Sequence, residues 1–234
     1  LVKNVYLTTM ATTPFSNYFN LIKENQSTLK SDPPHAEGSL GSPVAYGGLL
    51  VSQAVNAFTT LHPTLVPHTV NHKFVAPVKT TVPVHYRVNR IDDGNVATVY
   101  VYQNDILYSD TSEFLDSAQF ICPDYGSPSD YLDVQSITET MKKGTTAVVE
   151  NMIKLPLEIR PVESPMYSQS EKDRASYWLK MKSNINATDG LHVLLFISDF
   201  TILQVAGEIY QKSKIKIMSA ASLHHSVWIH EANL

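Results

Sequence analysis

Asp199 most needs a chemical reason to be where it is. It stands in the middle of an apolar stretch, Leu191 to Gly207, LHVLLFISDFTILQVAG. An ionised carboxylate in such surroundings costs several kcal/mol unless it is hydrogen-bonded, paired or protonated. Two readings are open. It is either a core carboxylate satisfied by backbone amides, hydroxyls or His192, which lies on the same helical face, or a carboxylate that orients and deprotonates a water.

Other candidates are softer. Gly47-Gly48 opens the run GGLLVSQAVNAFTTLH. Paired glycines permit close backbone approach and leave amides free at a helix N-terminus. Tight helix entry and contact with a ligand's carbonyl or phosphate are therefore both open. His224 and His225 are neighbours, and in a strand they point to opposite faces, which suits one surface and one packed histidine better than a shared metal. His68 and His72 are four apart, but in a strand-like segment, which argues against a helical metal site. Cys122 is the only cysteine, so a disulfide framework and a cysteine-rich zinc site are excluded, and no neighbouring motif activates its thiol. No GxSxG, phosphate loop, HExxH or kinase signature occurs, and no metal or cofactor is expected.

These residues must be positioned by the elements around them. The Leu191 stretch is too short for a bilayer span and carries a carboxylate, so it reads as a helix buried on every face in a protein core. From Gly47, apolar residues Leu50, Ala54, Ala57 and Phe58 recur at helical spacing, with Pro63 and Pro67 ending the element. Strand-like runs follow at His68–Val75, Thr81–Ile91 (Val82, Val84, Tyr86 and Val88 on one face), Val96–Gln103 and Ile106–Phe114. Asp92-Asp93-Gly94-Asn95 and Asn104-Asp105 read as turns. Residues 15–29 hold a short strand or helical turn. Residues 122–129 read as a linker and 130–154 as a weakly amphipathic helical segment. Strands return at Leu157–Glu163, Ala175–Ser183 and Ser219–His230. A buried helix with strands thus occurs twice, as an α+β arrangement of antiparallel sheet on helix. The second copy has fewer strands than the first, which implies either truncation or completion by a partner. The expected divisions are 1–122, a linker with a helical segment over 123–155, and 156–234.

The 234 residues are 43% apolar and 17% charged, with net charge −4. That is ordinary for a globular protein and gives no basic field for nucleic acid. The first residues lack the apolar core of a secretory signal.

The motifs Tyr46-Gly47-Gly48, Ser52-Gln53-Ala54 and Pro67-His68-Thr69-Val70-Asn71-His72-Lys73-Phe74 resemble the N-terminal half of the acyl-CoA thioesterase II family. Leu157–Glu163, Trp178, Ile197-Ser198-Asp199-Phe200 and Ala221–His230 resemble its second half, in the family's order. The resemblance spans roughly residues 40–230 and implies a double hotdog, two antiparallel sheets each wrapped on a central helix, here with the second hotdog incomplete. It implies hydrolysis of fatty acyl-CoA to fatty acid and CoA by direct water attack, the alternative being a non-catalytic acyl-CoA-binding or assembly subunit of the same fold. Carried over by position, Asp199 is the acid and Ser222 the hydroxyl that hold the water, while Gly47, Gly48 and His72 are expected at the substrate. The family's glutamine would lie beyond Leu234. Two departures stand out: His224 replaces the family's Asp, and Asn95–Tyr100 replaces a Ser- and Arg-rich strand. The resemblance further implies a homo-oligomer built through the hotdog sheets, with no membrane span and no nucleic acid. It suggests a peroxisomal location, to which the Ala232-Asn233-Leu234 end is a distant match, with the cytoplasm as the other possibility.

Overall fold

The computed structural model describes residues 16–33, 43–90, 96–114, 157–161, 177–181, 189–199 and 221–229. The expected linker, the 130–154 helical segment and the Asp92–Asn95 turn lie outside these residues. In chain order the elements are α1 (Ser16–Phe19), β1 (Ile22–Lys23), β2 (Thr28–Ser31), α2 (Gly47–Leu61), β3 (Thr69–Phe74), β4 (Val84–Arg90), β5 (Val96–Gln103), β6 (Ile106–Phe114), β7 (Leu157–Pro161), β8 (Tyr177–Met181), α3 (189–199) and β9 (His224–Trp228).

Alternation of side chains builds the main sheet. Along β5, every second residue is buried. On β4 the buried face is Val84, Tyr86 and Val88, as the period-two pattern predicts. The β5–β6 hairpin turns on Asn104 and Asp105, both at positive φ (51° and 60°). This is the paired left-handed geometry of a tight hairpin turn, which Asn and Asp tolerate best after glycine.

The seven strands of this sheet run in the order β1-β2-β4-β5-β6-β3-β9, and β7-β8 form a separate two-stranded ladder. All of these pairs are antiparallel. β9, a strand of the second half, hydrogen-bonds to β3 of the first half, with His72 opposite His225 and Val70 opposite Val227. One sheet therefore carries strands from both halves.

α2 is buried on two sides. Leu50, Ala54, Ala57 and Phe58 pack on Val84, Tyr86, Val99 and Val101 of the sheet, while Val51 and Val55 meet Leu191 and Leu195 of α3 and Val70 of β3. Its one buried glutamine, Gln53, accepts from the Tyr86 hydroxyl at 2.5 Å and donates to the Tyr18 carbonyl at 2.8 Å. The polar group is thus satisfied inside the core. α3 is nearly as enclosed, but Leu194 is 37% exposed. Over its described residues it is therefore open on one side, contrary to the all-round burial its composition suggests.

Candidate active site

Asp199 lies at the end of the described part of α3 and is only 5% exposed. Its neighbours come from β9, from the residues just before it and from α2. Ser222, just before β9, donates from Oγ to Asp199 Oδ1 at 2.6 Å. His225 of β9, itself 3% exposed, places Nδ1 3.5 Å from the same oxygen. The Gly48 amide, in the first turn of α2, hydrogen-bonds to the carboxylate. α2 has no side-chain cap of its own, since its N-cap residue is Tyr46. A carboxylate from another helix thus lies where a helix N-terminus favours negative charge.

The glycine pair explains how the two helices come so close. A Cβ on Gly47 would stand 2.5 Å from Asp199 Oδ2 and 3.0 Å from Phe74 Cζ, and one on Gly48 would collide with the Phe196 carbonyl oxygen. The approach is fixed further by Tyr46, whose hydroxyl donates to that carbonyl at 2.9 Å and whose ring meets Phe196 edge-on, centroids 5.0 Å apart.

The electrostatics follow from these contacts. Burial pushes the Asp199 carboxyl up. Hydrogen bonding from His225 and Ser222, the charge of His225 and the Gly48 amide outweigh it and hold the group below its ordinary value. Asp199 is therefore an anion at neutral pH. Burial also raises the Tyr46 phenol well above 10, helped by the Asp199 charge, so it remains a donor.

His72 is wholly buried, with Nδ1 2.6 Å from Thr111 Oγ1. Burial above all, and then the charge of His225, lower its pKa to about 3, so the ring is neutral. Its Nε2 has no hydrogen-bond partner among the described residues, and the His225 Nδ1 has only the long 3.5 Å contact with Asp199 Oδ1.

Asp199, Ser222, Gly47 and Gly48 thus meet at one point, and His72 shares the β3–β9 register with His225. The glycines lie against Asp199 itself, and the Gly48 amide expected at a ligand is engaged by the carboxylate. His192 is not the histidine beside Asp199. It packs on Phe19, centroids 5.9 Å apart, and its carbonyl accepts from Ser52. Sequence reasoning passed over His225, Ser198 and Thr111 as site residues. The only signal was the adjacent histidine pair, whose inward member is His225 and whose outward member, His224, is exposed. Among the described residues no cluster of His, Cys, Asp and Glu is arranged to hold a metal. None of the described helices is long and apolar enough to cross a membrane.

A family profile described as the acyl-CoA thioesterase N-terminal domain matches residues 35–105. Acyl-coenzyme A thioesterase 8 of Mus musculus is 27% identical over 209 residues, covering 79% of this chain and 65% of its own length. The chain therefore spans just under two thirds of that curated relative. Among solved structures, a hot dog fold protein of unknown function from Alicyclobacillus acidocaldarius superposes with TM-score 0.66 at 13% identity, covering 93% of this chain and 78% of its own. An acyl-CoA thioesterase II from Mycobacterium marinum superposes with TM-score 0.64 at 15% identity, covering 91% and 78%. Those likenesses establish the hotdog fold.

Proposed function

We propose that this chain, which belongs to the acyl-CoA thioesterase family, hydrolyses fatty acyl-CoA thioesters to the free fatty acid and CoA by direct attack of water. The observation that carries the reading is the buried, ionised Asp199 with Ser222 Oγ at 2.6 Å and the bare Cα of Gly47 beside its second oxygen.

In this mechanism Oδ1 is engaged by Ser222, and the attacking water sits at Oδ2, where Gly47 leaves room. Asp199 orients the water and takes its proton as the new C–O bond forms. An acid held below its ordinary range is a weak proton acceptor, so orientation and charge placement supply most of its effect. The carbonyl oxygen gathers negative charge opposite a donor. His72 fits that part in the tautomer where the Thr111 hydroxyl donates to Nδ1, which leaves Nε2–H free. The C–S bond then breaks, and the CoA thiolate takes the proton back from Asp199. The glutamine expected from the resemblance would complete the water's coordination from residues beyond those described. Assembly through the hotdog sheets and a peroxisomal location belong to the same reading and rest on the family resemblance.

Release of CoA thiol from medium- and long-chain acyl-CoA tests the activity. An intact-mass measurement on protein quenched during turnover tests the route. The expected result is thiol release with no acylated protein. A mass increase by one acyl group at Ser222 would replace water attack with a covalent route, and binding without turnover would remove the enzymatic reading.

A further inference from the structure

The ring of His225 is held at both ends. Its Nε2 lies 3.0 Å from Ser198 Oγ, and Ser198 Oγ also lies 2.8 Å from the Leu195 carbonyl, one turn back on α3. Its Nδ1 faces Asp199 Oδ1 at 3.5 Å. Ser198 has one hydroxyl proton to give. If that proton goes to His225 Nε2, the neutral ring carries its own proton on Nδ1. If it goes to the Leu195 carbonyl, Ser198 accepts from Nε2–H. A neutral ring would then turn a bare Nδ1 lone pair towards a buried carboxylate, leaving two acceptors face to face, so only a ring protonated on both nitrogens fits. Either way a proton stands on Nδ1. With the Thr111 hydroxyl donating to its Nδ1, the neutral His72 ring opposite in β3 carries its proton on Nε2 and offers no competing acceptor, and His224 points to the outer face.

We propose that His225 is a positioning residue for Asp199, donating from Nδ1 to Oδ1 so that the carboxylate stays ionised with Oδ2 turned to the water, and that Ser198 fixes which ring nitrogen faces it. The proposal rests on the thioesterase reading for its catalytic meaning, but its geometry is independent of turnover. With Ser222 and His225 both on Oδ1, the carboxylate cannot rotate without losing two donors at once.

Two measurements test this. In the unaltered protein, ¹⁵N NMR of the histidine rings at neutral pH should find a proton on His225 Nδ1. Carboxyl ¹³C titration, with the Asp199 signal assigned by its loss in Asp199→Asn, should then move upward in His225→Gln, which keeps a polar group near Ser198 but none at the Nδ1 position. The same variant should lose about tenfold in kcat, and its acid limb should move to higher pH with little change in KM. His225→Asn, whose amide nitrogen stands where Nδ1 stood, should recover part of both. A purely structural role would lower stability without moving the Asp199 titration. A bare Nδ1 in the unaltered protein, or an unmoved Asp199 titration in folded His225→Gln, overturns the proposal. If the proton and the titration shift are found but acyl-CoA is not hydrolysed, the positioning stands and the thioesterase reading fails.

Discussion

At the residue scale, the site depends on what is missing at position 47 as much as on what is present at 199. Gly47→Ala places a methyl group 2.5 Å from Asp199 Oδ2. Displacing a reacting group by even an ångström costs on the order of 100-fold in rate, so kcat should fall by about that much while the melting temperature moves by only a few degrees. Equal losses in activity and stability would show that Gly47 serves packing alone. Ser222→Ala removes a donor from the carboxylate. It should lower kcat by about 10- to 100-fold and shift the acid limb upward, because an anion that loses a hydrogen bond is easier to protonate. Asp199 was legible in the sequence because a lone carboxylate in an apolar run demands a partner. His225 was not, because its contact with Asp199 arises from the register between β9 and β3, which no local pattern encodes.

At the element scale, α2, β3, β4, β5 and β6 were legible within a few residues, since each buries one face and its periodicity records that face. What periodicity cannot carry is sheet order. β2 is only four residues long, Thr28–Ser31, and is read as a strand only once β4 is beside it. β9 gives no sign that it joins the first half. That junction positions both Ser222 and His225. The bonds from Phe74 N to the Leu223 carbonyl and from Ile229 N to the His68 carbonyl fix the alternation, which places Val227 and Val70 in a hydrogen-bonded pair. Val227→Pro removes that donor from the ladder. Hydrogen exchange should speed up at β3 and β9 amides while the β4–β5 amides stay protected, and thiol release should fall with the β9 change. A uniform loss of protection would mean that the β3–β9 ladder is not a separable unit.

At the scale of the whole molecule, the buried histidines set the acid limit of stability. Burial lowers His72 to about 3 and His192 to about 4, from 6.5 in the open chain. Between pH 6.5 and about 4 the unfolded chain binds both protons and the folded one binds neither, so stability falls as pH falls, by about 1.4 kcal/mol per pH unit for each ring. Denaturant titrations at pH 7 and pH 5 should differ by about 4 kcal/mol, and equal midpoints would contradict the burial of these rings. The lowered Asp199 adds a loss only in more acidic solution, as pH falls through its folded value. The measurement that bears most directly on the function is thiol release from a long-chain acyl-CoA by the unaltered chain and by Asp199→Asn, which keeps the shape of the side chain and removes its charge. The site described here predicts hydrolysis by the first and a loss of about 1,000-fold in the second with folding intact; hydrolysis that continues unchanged in Asp199→Asn would contradict it.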